Sequence, residues 1–172
     1  MGDLQGHDFR GNQWTGGGAS YEGALMNITS YDIALRFVGM KETPGVAANP
    51  GILAMLRLDD TWPEGDETPW CSAFVNYVAW LLRLPRSKSL AARSWLSVGD
   101  VVPLVGTMQP TCAAVRGFDV VILERGAGGH VGFFSAFEQD RVWLLGGNQG
   151  DAVNVASFDK QRILGVRRLR SE

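Results

Sequence analysis

The chain has 172 residues, a formal net charge of −2 at pH 7, 45% hydrophobic residues and 20% charged ones. These values fit one domain with its own hydrophobic core and make no electrostatic case for a nucleic-acid or anionic-membrane partner. Two cysteines, Cys71 and Cys112, are too few for a disulfide framework, and no apolar run is long enough to span a bilayer.

Residues 1–20 are rich in glycine and polar residues and carry no hydrophobic period. They read as a flexible arm ending at Gly16-Gly17-Gly18, with residues 21–172 as one folded domain. His7 lies on the arm, where no catalytic group is preorganised. The N-terminus lacks the basic-then-apolar pattern of a secretory leader. Three helices follow. Ser30 is placed to cap the first, with Ile33, Ala34, Phe37 and Val38 on one face. Asn49-Pro50 reads as an N-cap followed by proline at the first helical position, leading into Ile52, Leu53 and Leu56. Thr68-Pro69 repeats that signature and opens Trp70–Leu84, apolar nearly all round and therefore expected to be buried; Pro85 stops it. A short helix is expected over 90–96.

The texture then changes to β. Asp119–Glu124, His130–Phe137 and Arg141–Leu145 read as strands, the last two joined as a hairpin by Glu138-Gln139-Asp140. Two further strands are expected over 152–158 and 163–169. Helices first and antiparallel strands second make the class α+β.

The chemistry centres on Cys71. With Thr68 as N-cap and Pro69 at N1, the thiol sits at N3, beside the positive end of a helix. That field favours thiolate, and the unpaired amides there are suited to an oxyanion. His130, in Gly129-His130-Val131-Gly132-Phe133, opens a strand beside glycines. A cysteine at a helix start and a histidine well apart in sequence form the pattern of a Cys/His nucleophile pair. A base imidazole needs a third group to orient it. Asn148 in Gly146-Gly147-Asn148-Gln149 is the preferred orienter, with Gln149 and Asp151 as alternatives. Trp62, Trp70, Trp95 and Trp143 read first as core, with Trp70 and Gln149 as candidate substrate-binding residues. One cysteine and one histidine outside the arm fall short of a structural zinc site. Asp59, Asp60 and Asp119 lack calcium-loop spacing, and no phosphate loop is present.

The blocks Trp70-Cys71-Ser72-Ala73-Phe74-Val75, Gly129-His130-Val131-Gly132-Phe133 and Gly146-Gly147-Asn148-Gln149 resemble those of the NlpC/P60 and CHAP superfamily, and most of all its small, phage-associated members. The resemblance covers roughly residues 28–169. It implies a papain-like α+β fold, with N-terminal helices and a buried Cys-bearing helix packed on an antiparallel sheet. It also implies cleavage of amide or peptide bonds in bacterial peptidoglycan, with Cys71 as nucleophile, His130 as base and Asn148 as third member. Many CHAP-type relatives carry an acidic residue in the third block, where this chain has two glycines before Asn148. No cofactor is expected. The expected state is a monomer whose partner is the cell wall, reached from the cytoplasm by release, as in an endolysin, or by injection, as in an effector. Alternatives are an acyltransferase or transamidase with the same residues, a non-catalytic cell-wall-binding module, and a virion structural protein.

Overall fold

The computed structural model describes residues 28–43, 48–59, 65–66, 68–107 and 109–170. The arm, His7 and Trp62 lie outside the described residues. The first helix, α1 (Ser30–Leu35), is capped by Thr29, one residue earlier than expected. Thr29 and Asp32 exchange side-chain and backbone hydrogen bonds as a capping box. The Ser30 hydroxyl instead donates to the Gly117 carbonyl. The second, α2 (Pro50–Leu56), starts as expected, with Asn49 Oδ1 accepting from the Gly51 and Ile52 amides. The third, α3, spans Cys71–Leu81. Its C-terminus is a Schellman motif: Arg83 turns left-handed at φ 55°, its amide bonds Trp80 O at 3.1 Å, and Leu84 N bonds Ala79 O at 2.9 Å. The helix is therefore over before Pro85. The expected helix at 90–96 is a 3-10 helix over Ala92–Ser97.

Among the described residues, six antiparallel strands follow: β1 (Asp100–Val102), β2 (Asp119–Arg125), β3 (Gly128–Glu138), β4 (Arg141–Gly146), β5 (Asn154–Asp159) and β6 (Ile163–Arg168). They form one sheet in the order β1-β6-β2-β3-β4-β5, so the class is α+β. The chain's last strand sits inside the sheet, between β1 and β2.

The run Val120-Val121-Ile122-Leu123 is apolar throughout because β2 is covered on both faces. Val120 and Ile122 join Val131, Phe133 and Leu145 in the core beneath the helices. Val121 and Leu123 join Phe134, Val142 and Leu144 in a second core on the far face. Phe74 docks α3 on the sheet. It is fully buried and meets Phe37 at 5.9 Å and Phe133 at 6.1 Å between ring centroids, both edge-on. Truncating such a residue to alanine typically costs about 3–5 kcal/mol. Among the described residues, no helix is long and apolar enough to cross a membrane.

Candidate active site

The start of α3 places Cys71. Trp70 is the N-cap, with φ −114° and ψ 13° and no side-chain cap bond. The first turn is closed by Phe74 N to Trp70 O at 2.9 Å. Thr68 does not cap, so Cys71 is the first helical residue rather than the third, nearer the unpaired amides than expected.

Trp70 is fully buried and does not reach the cleft, contrary to its assignment as a substrate-binding residue. Its Nε1 donates to Glu42 Oε1 at 2.6 Å, and its ring lies against Gly147, where a Cβ would stand 2.4 Å from Trp70 Cζ3. Only glycine fits there. Ser72 and Asn76, also on α3, bind the following loop: the Ser72 hydroxyl donates to Ser89 O at 2.6 Å and Asn76 Nδ2 to the same oxygen at 3.1 Å. Trp95 Nε1 donates to Ser72 Oγ at 2.9 Å. These bonds hold Leu90 and Ala91 as one wall of a hollow of about 480 Å³ that Cys71 also lines.

His130 is 1% exposed. It pairs across the ladder with Leu123, a far-face core residue, and its ring lies 5.2 Å from Phe158. Its neighbour Val131 belongs to the helix-side core. Side chains alternate along a strand, so the imidazole projects from the face of β3 opposite α3. Its Nε2 is 3.0 Å from Gln149 Oε1. The Gln149 amide cannot be turned round, because its Nε2 donates to Asn154 O at 2.6 Å and Asn154 Oδ1 at 3.0 Å. Asn154 Nδ2 donates back to Gln149 O at 2.6 Å. An oxygen therefore faces the ring, Nε2 carries the hydrogen, and Nδ1 is left with a bare lone pair. That Nδ1 is buried and has no hydrogen-bond partner among the described residues.

The orienting contact expected from Asn148 is thus made by Gln149, which positions the histidine rather than simply lining a substrate site. After Gly146 the chain leaves the strand. Asn148 is left-handed at φ 55°, and Gln149 N bonds Ala152 O at 3.0 Å, so the side-chain alternation of the hairpin no longer applies. Asp151, also left-handed at φ 58°, is exposed.

Burial sets the protonation of both groups. It lowers the His130 pKa to about 4, against the pull of the Gln149 bond; the positive charges of Arg125 and Arg162 lower it further. Burial also pushes the Cys71 thiol up, although the Val131, Ser72 and Cys71 amides and Arg125 act in the opposite direction. The expected depressed thiol is therefore not what the site holds. The resting pair is a neutral thiol and a neutral imidazole, with no hydrogen bond between them.

A second hollow, of about 370 Å³, is lined by His130, Gln149, Phe158 and Arg162. Arg125 and Asn148 line both hollows, so the two hollows are neighbours at this end of the sheet. No acidic side chain lines either hollow among the described residues. The sequence offered no signal for Arg125, Arg162 or Asn154; Asn154 on β5 and Arg162 in the turn before β6 come from segments not adjacent to β3 in the sheet, yet line the same hollow as His130. Both cysteines are free.

Comparison with protein-family models, with curated proteins and with solved structures finds no match to this chain.

Proposed function

We propose that this protein is a cysteine hydrolase of the NlpC/P60 and CHAP kind, with the papain-like variant of the α+β fold, cleaving amide bonds in bacterial peptidoglycan peptides. The observation that carries the catalytic part is the buried, unpartnered Nδ1 of His130, with Nε2 fixed as the protonated nitrogen by Gln149. A structural histidine at this depth satisfies both nitrogens; one held in a single tautomer with a free lone pair is equipped as a base. The peptidoglycan substrate is supported by the three sequence blocks alone.

In this reading His130 Nδ1 takes the Cys71 Sγ proton as the sulfur attacks the substrate carbonyl, forming the S–C bond. The amides at the start of α3 stabilise the oxyanion. The Nδ1 proton passes to the leaving nitrogen as the C–N bond breaks, giving a thioester and a free amine. Water, deprotonated by Nδ1, adds to the thioester, and the thiol departs. Cys71 has the Val131 amide beside it, one residue from His130 on β3, and this reading requires the imidazole to turn around that end of the strand to reach the sulfur. Gln149 is a positioning residue. No cofactor enters any step.

The test is digestion of purified sacculi followed by mass spectrometry of the released fragments. Release of peptide fragments by the wild type and none by Cys71→Ala supports the reading; equal release by both sinks it. The placement of the two groups on opposite faces of β3 favours a second reading, a wall-binding module without turnover. Sacculus binding retained by wild type and Cys71→Ala alike, with no fragment released, would establish that alternative.

A further inference from the structure

The far-face hollow has a charge imbalance that the hydrolytic step does not need. Its side chains are two arginines and neutral groups, with no carboxylate among the described residues. The Arg125 side chain is exposed and has no ion pair or hydrogen bond among the described residues, whereas the neighbouring Glu124 is turned to Arg93 at 3.7 Å. Arg162 spends Nε and Nη2 on the Glu124 carbonyl, at 2.9 and 2.7 Å, and its guanidinium lies 5.6 Å over the Phe158 ring. That bond fixes the side chain without cancelling its charge. Solvated surface arginines are ordinary. These two instead border a buried imidazole closely enough to act on its charge state.

We infer that this hollow is a carboxylate subsite, in which Arg125 presents its free guanidinium fork and Arg162 supplies a second, fixed cation. One whole fork and one partly used guanidinium match the two oxygens of a carboxylate; a phosphate would call for more free donors. Asn148 is a neutral donor that lines both hollows. His130, which gives its proton to the departing amine, lines this hollow, while Cys71 lines the other. The carboxylate therefore belongs to the amine half of the substrate, and the acyl half lies by Leu90 and Ala91. This last assignment rests on the hydrolase reading; carboxylate binding does not.

The binding test titrates N-acetylglycylglycine and its C-terminal amide into the full chain, following the His130 ring and arginine Nε–H signals by NMR. The acid should bind at least 10-fold more tightly than the amide, with Arg125→Gln and Arg162→Gln each narrowing that ratio and the double variant abolishing it. Equal binding of acid and amide, or a ratio untouched in the double variant, overturns the subsite. Inorganic phosphate binding as tightly as the acid overturns the carboxylate assignment in favour of a general anion site. The substrate assignment is tested on sacculi whose stem-peptide carboxylates are free or amidated. Digestion at least 10-fold slower on the amidated wall, with the preference lost in Arg125→Gln, supports it; equal rates overturn it. Acid binding without fragment release from either wall would keep the subsite and dismiss the hydrolase.

Discussion

Asp119 and His130 are both 1% exposed and lie towards opposite ends of the β2–β3 ladder, yet they are treated differently. Asp119 is saturated. Its Oδ1 accepts Arg168 Nε at 2.7 Å, and its Oδ2 accepts Arg168 Nη2 at 2.8 Å and the Val115 amide at 2.7 Å. His130 is satisfied at one nitrogen and open at the other. A buried polar atom without a partner is destabilising, so the fold tolerates at one end what it avoids at the other. The saturated end serves stability, joining β2, β6 and the loop at Val115. The open end has a lone pair left for chemistry.

Breaking the saturated end should give the largest effect. Asp119→Ala leaves Arg168 without its bidentate partner and the Val115 amide without its acceptor, at a cost of about 3 kcal/mol. The melting temperature should then fall by roughly 6–12 °C. Turnover per folded molecule should be unchanged, since Asp119 touches neither hollow. A thermal melt beside a sacculus assay checks this, and a loss of turnover without a fall in melting temperature would contradict the division between the two ends.

The open end should declare itself through pH. His130 titrates at about 4 in the folded chain, against an ordinary 6.5. Between those values the unfolded chain binds a proton that the folded chain does not. The stability contributed by the neutral imidazole is fully present above about pH 6.5 and is lost as pH falls towards 4, about 3 kcal/mol in all. Urea unfolding of the wild type and His130→Phe at pH 7 and pH 4.5 isolates this part, because only the wild type should carry it. Parallel curves would mean that His130 is not buried as a neutral ring.

Much of this contrast was legible in the sequence, but not its geometry. Asn49-Pro50 gave α2 its true start because proline at N1 and an amide cap are local signals. Thr68-Pro69 looked the same and misled by two residues, because buried Trp70, bonded to Glu42, fixes where α3 begins. Cys71 and His130 were singled out as candidates from local sequence context. Their placement on opposite faces was not, because face assignment depends on which partners β3 acquires. The register from Asn148 to Gln149 shifted for a comparable reason: two left-handed residues, Asn148 and Asp151, redirect the chain after β4. The short strand β1 has too few residues to show a period, and the insertion of β6 between β1 and β2 is a long-range event.

Gln149 is the hinge of the comparison, since it makes His130 half-satisfied rather than free. Gln149→Ala should lower stability by about 1–3 kcal/mol, by leaving buried polar atoms of His130 and Asn154 unpaired. It should also reduce turnover about 10- to 100-fold, less than loss of the nucleophile. Asn148→Ala should cost less in both. Gln149→Glu should raise the His130 pKa by placing a carboxylate on Nε2, read directly from the imidazole NMR titration. If Asn148→Ala proves the more damaging for turnover while the His130 titration stays put, the tautomer is fixed by some route other than Gln149.

The smallest effect is expected at the other cysteine, and it sharpens the account of the first. Cys112 is half-buried against the far-face core, so Cys112→Ala should change stability by less than about 1 kcal/mol and leave turnover intact. Both thiols are pushed up by burial, but their surroundings differ. Cys71 has the Val131 amide and Arg125 lowering its pKa; Cys112 has the Ala114 amide and Arg168 lowering it, but also the Asp119 charge raising it. Iodoacetamide labelling of the free protein should therefore climb with pH towards 9 and beyond at both sites, with no plateau near neutrality, because the thiolate is the reactive form. Mass mapping of the labelled peptides between pH 5 and 10 follows each site separately. A Cys71 rate already at its plateau by pH 6 would require a resting thiolate–imidazolium pair. Such a pair would need His130 Nδ1 protonated and in contact with the sulfur, and so a different side-chain arrangement at the end of β3.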